Sequence, residues 1–354
     1  MKCVTHQQAR MLLHNKFVVV LGDSIQRSVY KDLVLLLQKE KYLSVKQLKR
    51  KGEMNFEQDC LVEGGCLNQM HNGTKYQEVR QYQSDHHLVR FYFLTRVYSE
   101  YMQSVMEDFR QGLKPDVLII NSCVWDISRY NSSWNDDYKE NLHKFFCELQ
   151  EVLPEETLVI WSLAMPLGER IRGGFLVPEI EYMVPRLRND VIEANFDSGI
   201  LAAAYGVDVL DSHFHFRFSL QHRSNDGVHW NAFAHRKITS LLLQHVAEAW
   251  GVVMHCSVTT VECINVSDHQ PAYRNANRHA GWYPSEDDNR DEFSRDGFPA
   301  FGYLSFEEEQ QQQPWHRHPQ TAPAYPPIYH PQRHPSFHDD SWVSSGKNRL
   351  SADT

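Results

Sequence analysis

The feature that most constrains the fold is an apolar segment near the start of the chain that runs directly into a turn and a helix. Residues 17–21 are five apolar residues, mostly β-branched, which predicts a buried strand. Gly22-Asp23-Ser24 interrupts this pattern, and residues 25–38 carry apolar side chains at helical spacing. A serine on such a turn suits nucleophilic chemistry, because the N–H groups of the helix N-terminus can face a developing oxyanion. Asp and Ser are also favoured helix N-caps, so this segment alone leaves both roles open.

Apolar segments and helical patterns alternate along the rest of the first 250 residues. Strands are predicted at 88–94, 115–121, 157–163 and 207–210, and helices at 97–109, 136–152, 180–205 and 230–250. Such strands, alternating with helices, predict an α/β fold with three layers: a parallel sheet with helices on both faces. Its working site is expected beyond the carboxyl ends of the strands. The polar segment 39–86 is predicted to hold loops, a short helix and a small hairpin.

Composition excludes several classes of protein. The chain has 354 residues, of which 42% are apolar and 23% charged, as in ordinary globular proteins. Its net charge of -9 disfavours nucleic acid as a partner. No apolar run approaches the roughly 18 residues of a transmembrane segment. Seven scattered cysteines suit reduced thiols, and the first residues lack the apolar core of a signal peptide, so a cytoplasmic or nuclear location is expected.

The last quarter of the chain has a different composition. Pro, His and Gln dominate, and no apolar periodicity persists. We therefore expect a folded domain over residues 1–260 and a disordered tail over 261–354. Within this tail, 323–326 (Pro-Ala-Tyr-Pro) could bind a protein that recognises proline motifs.

A second candidate motif directly precedes the last predicted helix. Asp226 and His229 are three residues apart across Gly227, so one turn can bring the carboxylate to the imidazole Nδ1–H. That bond would fix the tautomer and leave Nε2 available to take a proton from a serine. This motif follows the last predicted strand and Ser24 follows the first, so both are expected at the same edge of the sheet. Ser24, His229 and Asp226 are thus the candidate catalytic residues.

These motifs resemble those of the GDSL/SGNH hydrolases. Arg27, three residues after the serine, and Trp230, directly after the histidine, resemble the PC-esterase branch of that superfamily. The resemblance covers residues 1 to about 255 and implies a flavodoxin-like SGNH fold without a cofactor. It also implies ester hydrolysis or acyl transfer on an acylated small molecule, a modified sugar or a lipid, with water or a hydroxyl group as the acceptor.

The resemblance further implies an oxyanion hole built from a glycine and an asparagine. Gly64 or Gly65 would supply the first donor. The Gly-x-Asn-Asp block of the family is not intact here: Asn121 is the nearest asparagine, and it either supplies the second donor or points into the sheet.

Arg27 is the other candidate donor. It either replaces the missing donor or pairs with Asp23 or Asp126. Because one lost donor typically costs about 10²–10³ in rate, the alternative function is a weak or inactive domain that acts as an interaction protein through its tail.

Two other kinds of site compete with the serine site. Cys123 after a predicted strand could be a thiol nucleophile, although a small core residue is the usual role there. His213, His215 and His222 could suggest zinc, but no Cys or carboxylate completes a ligand set at the usual spacing, so no metal site is predicted.

Overall fold

A computed structural model describes residues 3–131, 133–172 and 174–254. The predicted tail at 261–354 and the predicted domain boundary at 260 lie outside the described residues. In the described ranges, no helix has both the length and the apolar character needed to cross a membrane.

The described chain alternates strands and helices. The helices are α1 (His6–Leu12), α2 (Ser24–Gln38), α3 (Val45–Lys49), α4 (Glu100–Gln111), α5 (Val124–Arg129), α6 (Trp134–Val152), α7 (Val184–Ala204), α8 (Ser212–Phe216) and α9 (Ala232–Ala249). The strands are β1 (Lys16–Gly22), β2 (Cys60–Gly64), β3 (Glu78–Gln83), β4 (His87–Phe93), β5 (Val117–Ile120), β6 (Leu158–Ser162) and β7 (Asp208–Leu210). Short 3₁₀ helices lie at Leu67–Gln69, Pro178–Met183 and Leu220–His222.

The strands form one sheet in the order β2-β3-β4-β1-β5-β6-β7. Neighbouring strands from β4 to β7 are parallel, whereas β3 is antiparallel to both of its neighbours. The five parallel strands follow the flavodoxin-like order, with the second strand in the chain beside the first and the third on its other side. The predicted α/β class is therefore confirmed, with an antiparallel strand added near one edge.

β1 lies at the centre of the sheet and supplies both layers of the core. Val18 and Val20 pack with apolar residues of α1, α2 and α9. Phe17, Val19 and Leu21 pack with those of α4, α6 and α7. Successive residues of a strand point to opposite faces, so this division shows helices on both sides of the sheet and confirms the three predicted layers.

Helix α2 is buried almost all round. Thirteen of its fifteen residues are buried, whereas the spacing of its leucines and valines predicts only one buried stripe. Its charged side chains are accommodated by ion pairs: Lys31 with Glu53, and Asp32 with Arg236, whose Nε lies 2.9 Å from Oδ2. Buried charges are tolerated when paired in this way, and no hydrophobic pattern reveals them.

The polar segment 39–86 contains the short helix α3 and the antiparallel pair β2–β3. Arg80 on β3 is fully buried and donates through Nε and Nη2 to the two carboxylate oxygens of Asp59, at 2.8 and 2.9 Å. This bidentate ion pair is buried where apolar side chains are usual. Because the segment lacks an apolar pattern, its sequence predicts mostly loops.

The helices differ from the sequence prediction in two respects. The short helices α5 and α8 follow β5 and β7 and have no counterpart among the predicted elements. The helix predicted over 180–205 begins later, at Val184 of α7, so Pro185 lies in its first turn, directly after the 3₁₀ helix Pro178–Met183. Proline is tolerated in a first turn because the N–H that it lacks has no partner within the helix.

Candidate active site

The turn after β1 places a serine at the carboxyl edge of the sheet. Gly22 has a φ of +153°, and a Cβ on it would lie 2.3 Å from Cγ of Gln26, so a side chain here would force a rearrangement. Asp23 is the N-cap of α2, and its Oδ1 accepts a hydrogen bond of 2.8 Å from the N–H of Ile25. Ser24 is consequently the first residue of α2.

The second motif forms a tight loop before α9. The Oδ1 atom of Asp226 accepts hydrogen bonds from the N–H groups of Val228 and His229, both at 2.9 Å. Gly227 has a φ of +77°, and a Cβ on it would lie 2.0 Å from the carbonyl oxygen of Arg170. The loop thus packs so closely on the 168–171 segment that only glycine fits at its centre.

The two motifs meet in a continuous chain of hydrogen bonds. Ser24 Oγ lies 2.9 Å from His229 Nε2, and His229 Nδ1 lies 2.7 Å from Asp226 Oδ2. Burial raises the pKa of Asp226, but the bond from His229, its charge and the backbone N–H groups outweigh burial and lower that pKa to about 2. An ionised carboxylate only accepts, so Nδ1 carries the imidazole proton and Nε2 accepts from the Ser24 hydroxyl.

Ser24 is less accessible than the sequence suggests. A nucleophile above the sheet would be exposed, but Ser24 is 4% exposed and His229 2%. A cavity of about 30 Å³ lies beside the turn, with Asp23, Asn121 and Val228 among its lining residues. In this conformation the cavity admits only a small group.

The side-chain amide of Asn121 is bonded to the neighbouring strand. Its Nδ2 donates a hydrogen bond of 2.6 Å to the carbonyl oxygen of Ser162 at the end of β6. The residue directly follows β5, whose neighbour is β6, so a short amide reaches that strand end. Of the two orientations expected from the sequence, the structure has the one within the sheet.

Arg27 forms a buried ion pair that the sequence does not predict. Its Nη1 lies 2.7 Å from Oε2 of Glu78, and its guanidinium lies over the ring of Phe93 at 5.6 Å. Burial raises the pKa of Glu78, but Arg27 and Arg80 lower it below the usual value. Sequence reasoning misses Glu78 because it is 51 residues from its partner and lies on a strand without an apolar pattern.

One of the two roles expected for Arg27 was an ion pair with Asp23 or Asp126. That pairing was wrong, because the partner of Arg27 is Glu78. Asp126 instead accepts hydrogen bonds from the hydroxyl of Ser122 and from the N–H of Val97, the latter at 3.0 Å. Burial raises the pKa of Asp126 to about 7, and the hydrogen bonds from Ser122 and Val97 oppose that rise. Asp126 thus ties the loop after β5 to the loop after β4.

Gly64 and Gly65 lie at the far side of the sheet. Gly64 ends β2, which is three strands from β1, or about 14 Å at ~4.8 Å per strand. Both residues have positive φ, and a Cβ on Gly64 would lie 2.2 Å from the carbonyl oxygen of Gln77. These glycines permit the chain to turn closely over β3, and no hydrogen bond in the described ranges joins them to Ser24.

The two alternative sites receive little support. Cys123 is buried, and burial raises the pKa of its thiol well above the usual value, so it is not a thiolate. His213 Nδ1 lies 3.2 Å from Asn195 Nδ2 and 3.1 Å from the carbonyl oxygen of Ala164. Among the residues that the structure describes, no group of three or more His, Cys, Asp and Glu is placed to hold a metal ion.

Two curated human proteins are similar to this chain over most of its described length. PC-esterase domain-containing protein 1A from Homo sapiens is 60% identical over 247 residues, covering 69% of this chain and 54% of that protein. PC-esterase domain-containing protein 1B from the same species is 55% identical over 248 residues, covering 69% and 57%. This chain belongs among their homologues. It spans about half the length of these relatives.

Comparisons with family models and with solved structures are less informative about this chain. No family model matches the sequence. Among solved structures, the acetylxylan esterase Axe2 from Geobacillus stearothermophilus aligns with a TM-score of 0.38 and 14% identity, over 72% of this chain and all of that one. A likeness this distant carries no argument about the function of this chain.

Proposed function

We propose that this domain is a serine acyl-ester hydrolase or O-acyltransferase, with Ser24 as nucleophile, His229 as general base and Asp226 as the residue that orients the imidazole. The observation that carries the proposal is the hydrogen-bond chain from Ser24 Oγ through both imidazole nitrogens to an ionised carboxylate. The word esterase in the names of both relatives agrees with it.

The reaction follows from this arrangement. Ser24 Oγ attacks the ester carbonyl carbon while its proton passes to His229 Nε2, and Asp226 stabilises the imidazolium. His229 then returns the proton to the leaving alcohol, which gives an acyl-Ser24 intermediate. Water attacking that intermediate completes hydrolysis, and a hydroxyl group of a sugar or lipid completes transfer. In that step His229 takes the proton of the acceptor and then passes it to Ser24 Oγ, which leaves the acyl carbon and is restored as a hydroxyl group.

The Ser24 N–H is the best candidate for an oxyanion donor. It is the first amide of α2, so it has no acceptor within the helix. The next amides are already used, because the N–H of Ile25 donates to the Asp23 side chain and that of Arg27 to the Asp23 carbonyl. Asn121 Nδ2 carries two N–H bonds, of which one donates to the Ser162 carbonyl, so the other would supply the second oxyanion donor.

Arg27 and the glycine pair Gly64 and Gly65 were also predicted as oxyanion donors, but the proposal does not use them as donors. Arg27 acts as a positioning residue, because its ion pair with Glu78 fixes α2 one turn after Ser24. Gly64 and Gly65 are left out, because the sheet order places β2 three strands from β1.

A second candidate function is a weak or inactive member of this family that acts as an interaction protein. The burial of Ser24 favours it, because an ester must reach the hydroxyl to react, and Ser24 is 4% exposed beside a cavity of about 30 Å³.

Hydrolysis of p-nitrophenyl acetate by the full chain tests the proposal. We expect Ser24→Ala to lose the catalysed rate. The matched control is Ser28→Ala, one turn further along α2, which removes a buried hydroxyl that donates to the Ser24 carbonyl at 3.1 Å. This control should retain the parent rate within a few fold. Equal rates in the parent and Ser24→Ala would exclude Ser24, and a parent without activity would favour the second candidate.

A further inference from the structure

An exposed group of large apolar side chains lies at the carboxyl edge of the sheet. We call it the rim aromatic patch, and it consists of Tyr42, Phe214, Phe218, Leu220 and Phe233. Phe218 is 82% exposed and Phe214 54%, although aromatic side chains are usually buried. The chain runs from Phe218 through Leu220 to His222, whose ring lies 6.0 Å from the ring of Phe233. Phe233 in turn contacts Tyr42 at 5.0 Å.

The patch borders the candidate active site. Helix α8, which carries Phe214, directly follows β7, and Phe233 lies in the first turn of α9. The chain from Leu220 continues into the loop that holds Asp226 and His229, where the N–H of Ser224 donates to the His229 carbonyl at 2.7 Å. The exposed apolar residues therefore lie at the same edge as Ser24.

The charge of this segment is opposite to that of the whole chain. Residues 212–225 contain two arginines and three histidines and no Asp or Glu, in a protein with a net charge of -9. Arg217 is exposed, and its guanidinium lies over the rings of Phe214 and Phe218, at 3.3 and 4.6 Å from their centroids. Lys237 adds a further cation, 5.0 Å from the ring of Phe216.

The flanking carboxylates are already bound within the protein. Asp211 caps α8 by accepting from the N–H of Phe214, and Asp226 accepts from His229. Arg223 is also held in place, because its Nη1 donates to the carbonyl oxygens of Pro166 and Leu167. Arg217 Nη1 donates to the Phe214 carbonyl oxygen as well, but Arg217 is exposed whereas Arg223 is half-buried, so Arg217 is the cation best placed to meet a ligand together with the aromatic rings.

We propose that the rim aromatic patch binds the surface of an anionic lipid bilayer. Exposed aromatic side chains beside a cation are the features that interfacial protein segments use: the rings enter the headgroup region and the cation meets the anionic lipids. Docking in this way would bring the carboxyl edge of the sheet, and with it Ser24, to the membrane surface. Binding itself needs no chemistry at Ser24, so it goes beyond the proposed activity.

Vesicle co-sedimentation with the full chain tests this proposal. We expect the parent to bind vesicles of 70% phosphatidylcholine and 30% phosphatidylserine more tightly than vesicles of phosphatidylcholine alone. The double variant Phe214→Ser/Phe218→Ser should lower the partition coefficient about tenfold or more, because two rings no longer leave water. Arg217→Gln should lower binding to the anionic vesicles about fivefold, with little effect on the neutral ones.

The matched control is Met11→Ser/Leu113→Ser. Both residues are exposed apolar side chains, and they precede β1 and β5 at the amino edge of the sheet. This variant should bind like the parent. Ser24→Ala should also bind like the parent, which separates this proposal from the proposed reaction.

Three results would overturn the proposal. The first is a parent that binds neither kind of vesicle. The second is binding that is unchanged in both Phe214→Ser/Phe218→Ser and Arg217→Gln. The third is a parent dimer, seen by light scattering, that dissociates in the double variant while no vesicles are bound, which would assign the patch to a second copy of this chain. Should the double variant fail to fold, Arg217→Gln decides alone, because that side chain is on the surface.

Discussion

Replacing Asp226 with asparagine separates the electrostatic role of this carboxylate from its role in shaping the loop. The new side chain keeps an Oδ1 atom that can accept from the N–H groups of Val228 and His229, so the loop should persist. Its Nδ2 would then face His229 Nδ1 and donate to it. The imidazole proton would move to Nε2, which could no longer accept the proton of Ser24. The analogous change in serine proteases costs about 10⁴ in rate, and we expect about 10²–10⁴ here.

The same substitution has a calculable effect on stability. The pKa of Asp226 falls from 3.8 to about 2, a difference worth about 2 kcal/mol at roughly 1.36 kcal/mol per pH unit. Because the folded protein has the lower pKa, this contribution is fully present above about pH 4 and is lost as the pH falls through about 2. Asp226→Asn should therefore lower the free energy of unfolding at pH 7 by up to about 2 kcal/mol. Below pH 4 the difference in the free energy of unfolding between Asp226→Asn and the parent should become smaller.

Two measurements check this prediction. Rates of p-nitrophenyl acetate hydrolysis at pH 7 give the catalytic effect, and urea denaturation of both proteins between pH 7 and pH 3 gives the effect on stability. A variant with the parent rate would show that Asp226 does not orient the base. A stability difference that does not change with pH would show that the ionised carboxylate is not held as the structure indicates.

Three further perturbations test other parts of the structure. Arg27→Met should destabilise the protein by about 3–5 kcal/mol in urea denaturation, because it leaves Glu78 buried without its partner. The double variant Arg27→Met/Glu78→Met should recover part of that loss. Equal stability of Arg27→Met and the parent would contradict the ion pair. Burial, with His229 nearby, lowers the pKa of His235 to about 3, so the folded form resists protonation and the contribution of His235 to stability should fall by about 1.4 kcal/mol per pH unit below about pH 6.5. His235→Leu should remove this slope, and denaturation midpoints from pH 7 to pH 4 that shift in parallel for both proteins would refute it. Truncation at residue 262 should leave the thermal midpoint unchanged, because the composition of 261–354 offers little apolar surface to bury, whereas a drop of several degrees would show that these residues pack on the domain.

The central elements of the fold were predictable because their buried residues are apolar, and apolar runs can be recognised in the sequence. β1, β5 and β6 are short apolar runs flanked by turn residues, and α9 follows a clear cap signal at Asn231. The meeting of Ser24 with the Asp226–His229 loop followed from one topological rule, that the carboxyl ends of parallel strands share an edge.

The remaining elements depend on interactions between residues far apart in the chain. β3 is buried through ion pairs of Arg80 and Glu78, so its sequence carries no apolar alternation. Lys31 and Asp32 on α2 look solvent-exposed in the sequence, and only their partners from other segments make their burial possible. Local periodicity cannot reveal such pairs.

The details of the candidate site show the same limit. Asn121 is predictable as a residue at the end of a strand, but whether its amide faces an oxyanion or the Ser162 carbonyl depends on the exact end of β6. Two partners for Arg27 were equally consistent with the sequence, and the observed partner, Glu78, becomes visible only once β3 is known to lie two strands from β1.

The most direct test of the proposed reaction is covalent labelling with a fluorophosphonate, which phosphonylates serines activated by a neighbouring base. The parent, Ser24→Ala and Ser28→Ala would be incubated with the probe, and the adduct would be followed by intact mass and located by peptide mapping. We predict one adduct in the parent and in Ser28→Ala, on the peptide containing Ser24, and no adduct in Ser24→Ala. Labelling of Ser24→Ala to the same extent as the parent, or a parent that remains unlabelled under conditions that label a control serine esterase, would contradict the assignment of Ser24 as an activated nucleophile.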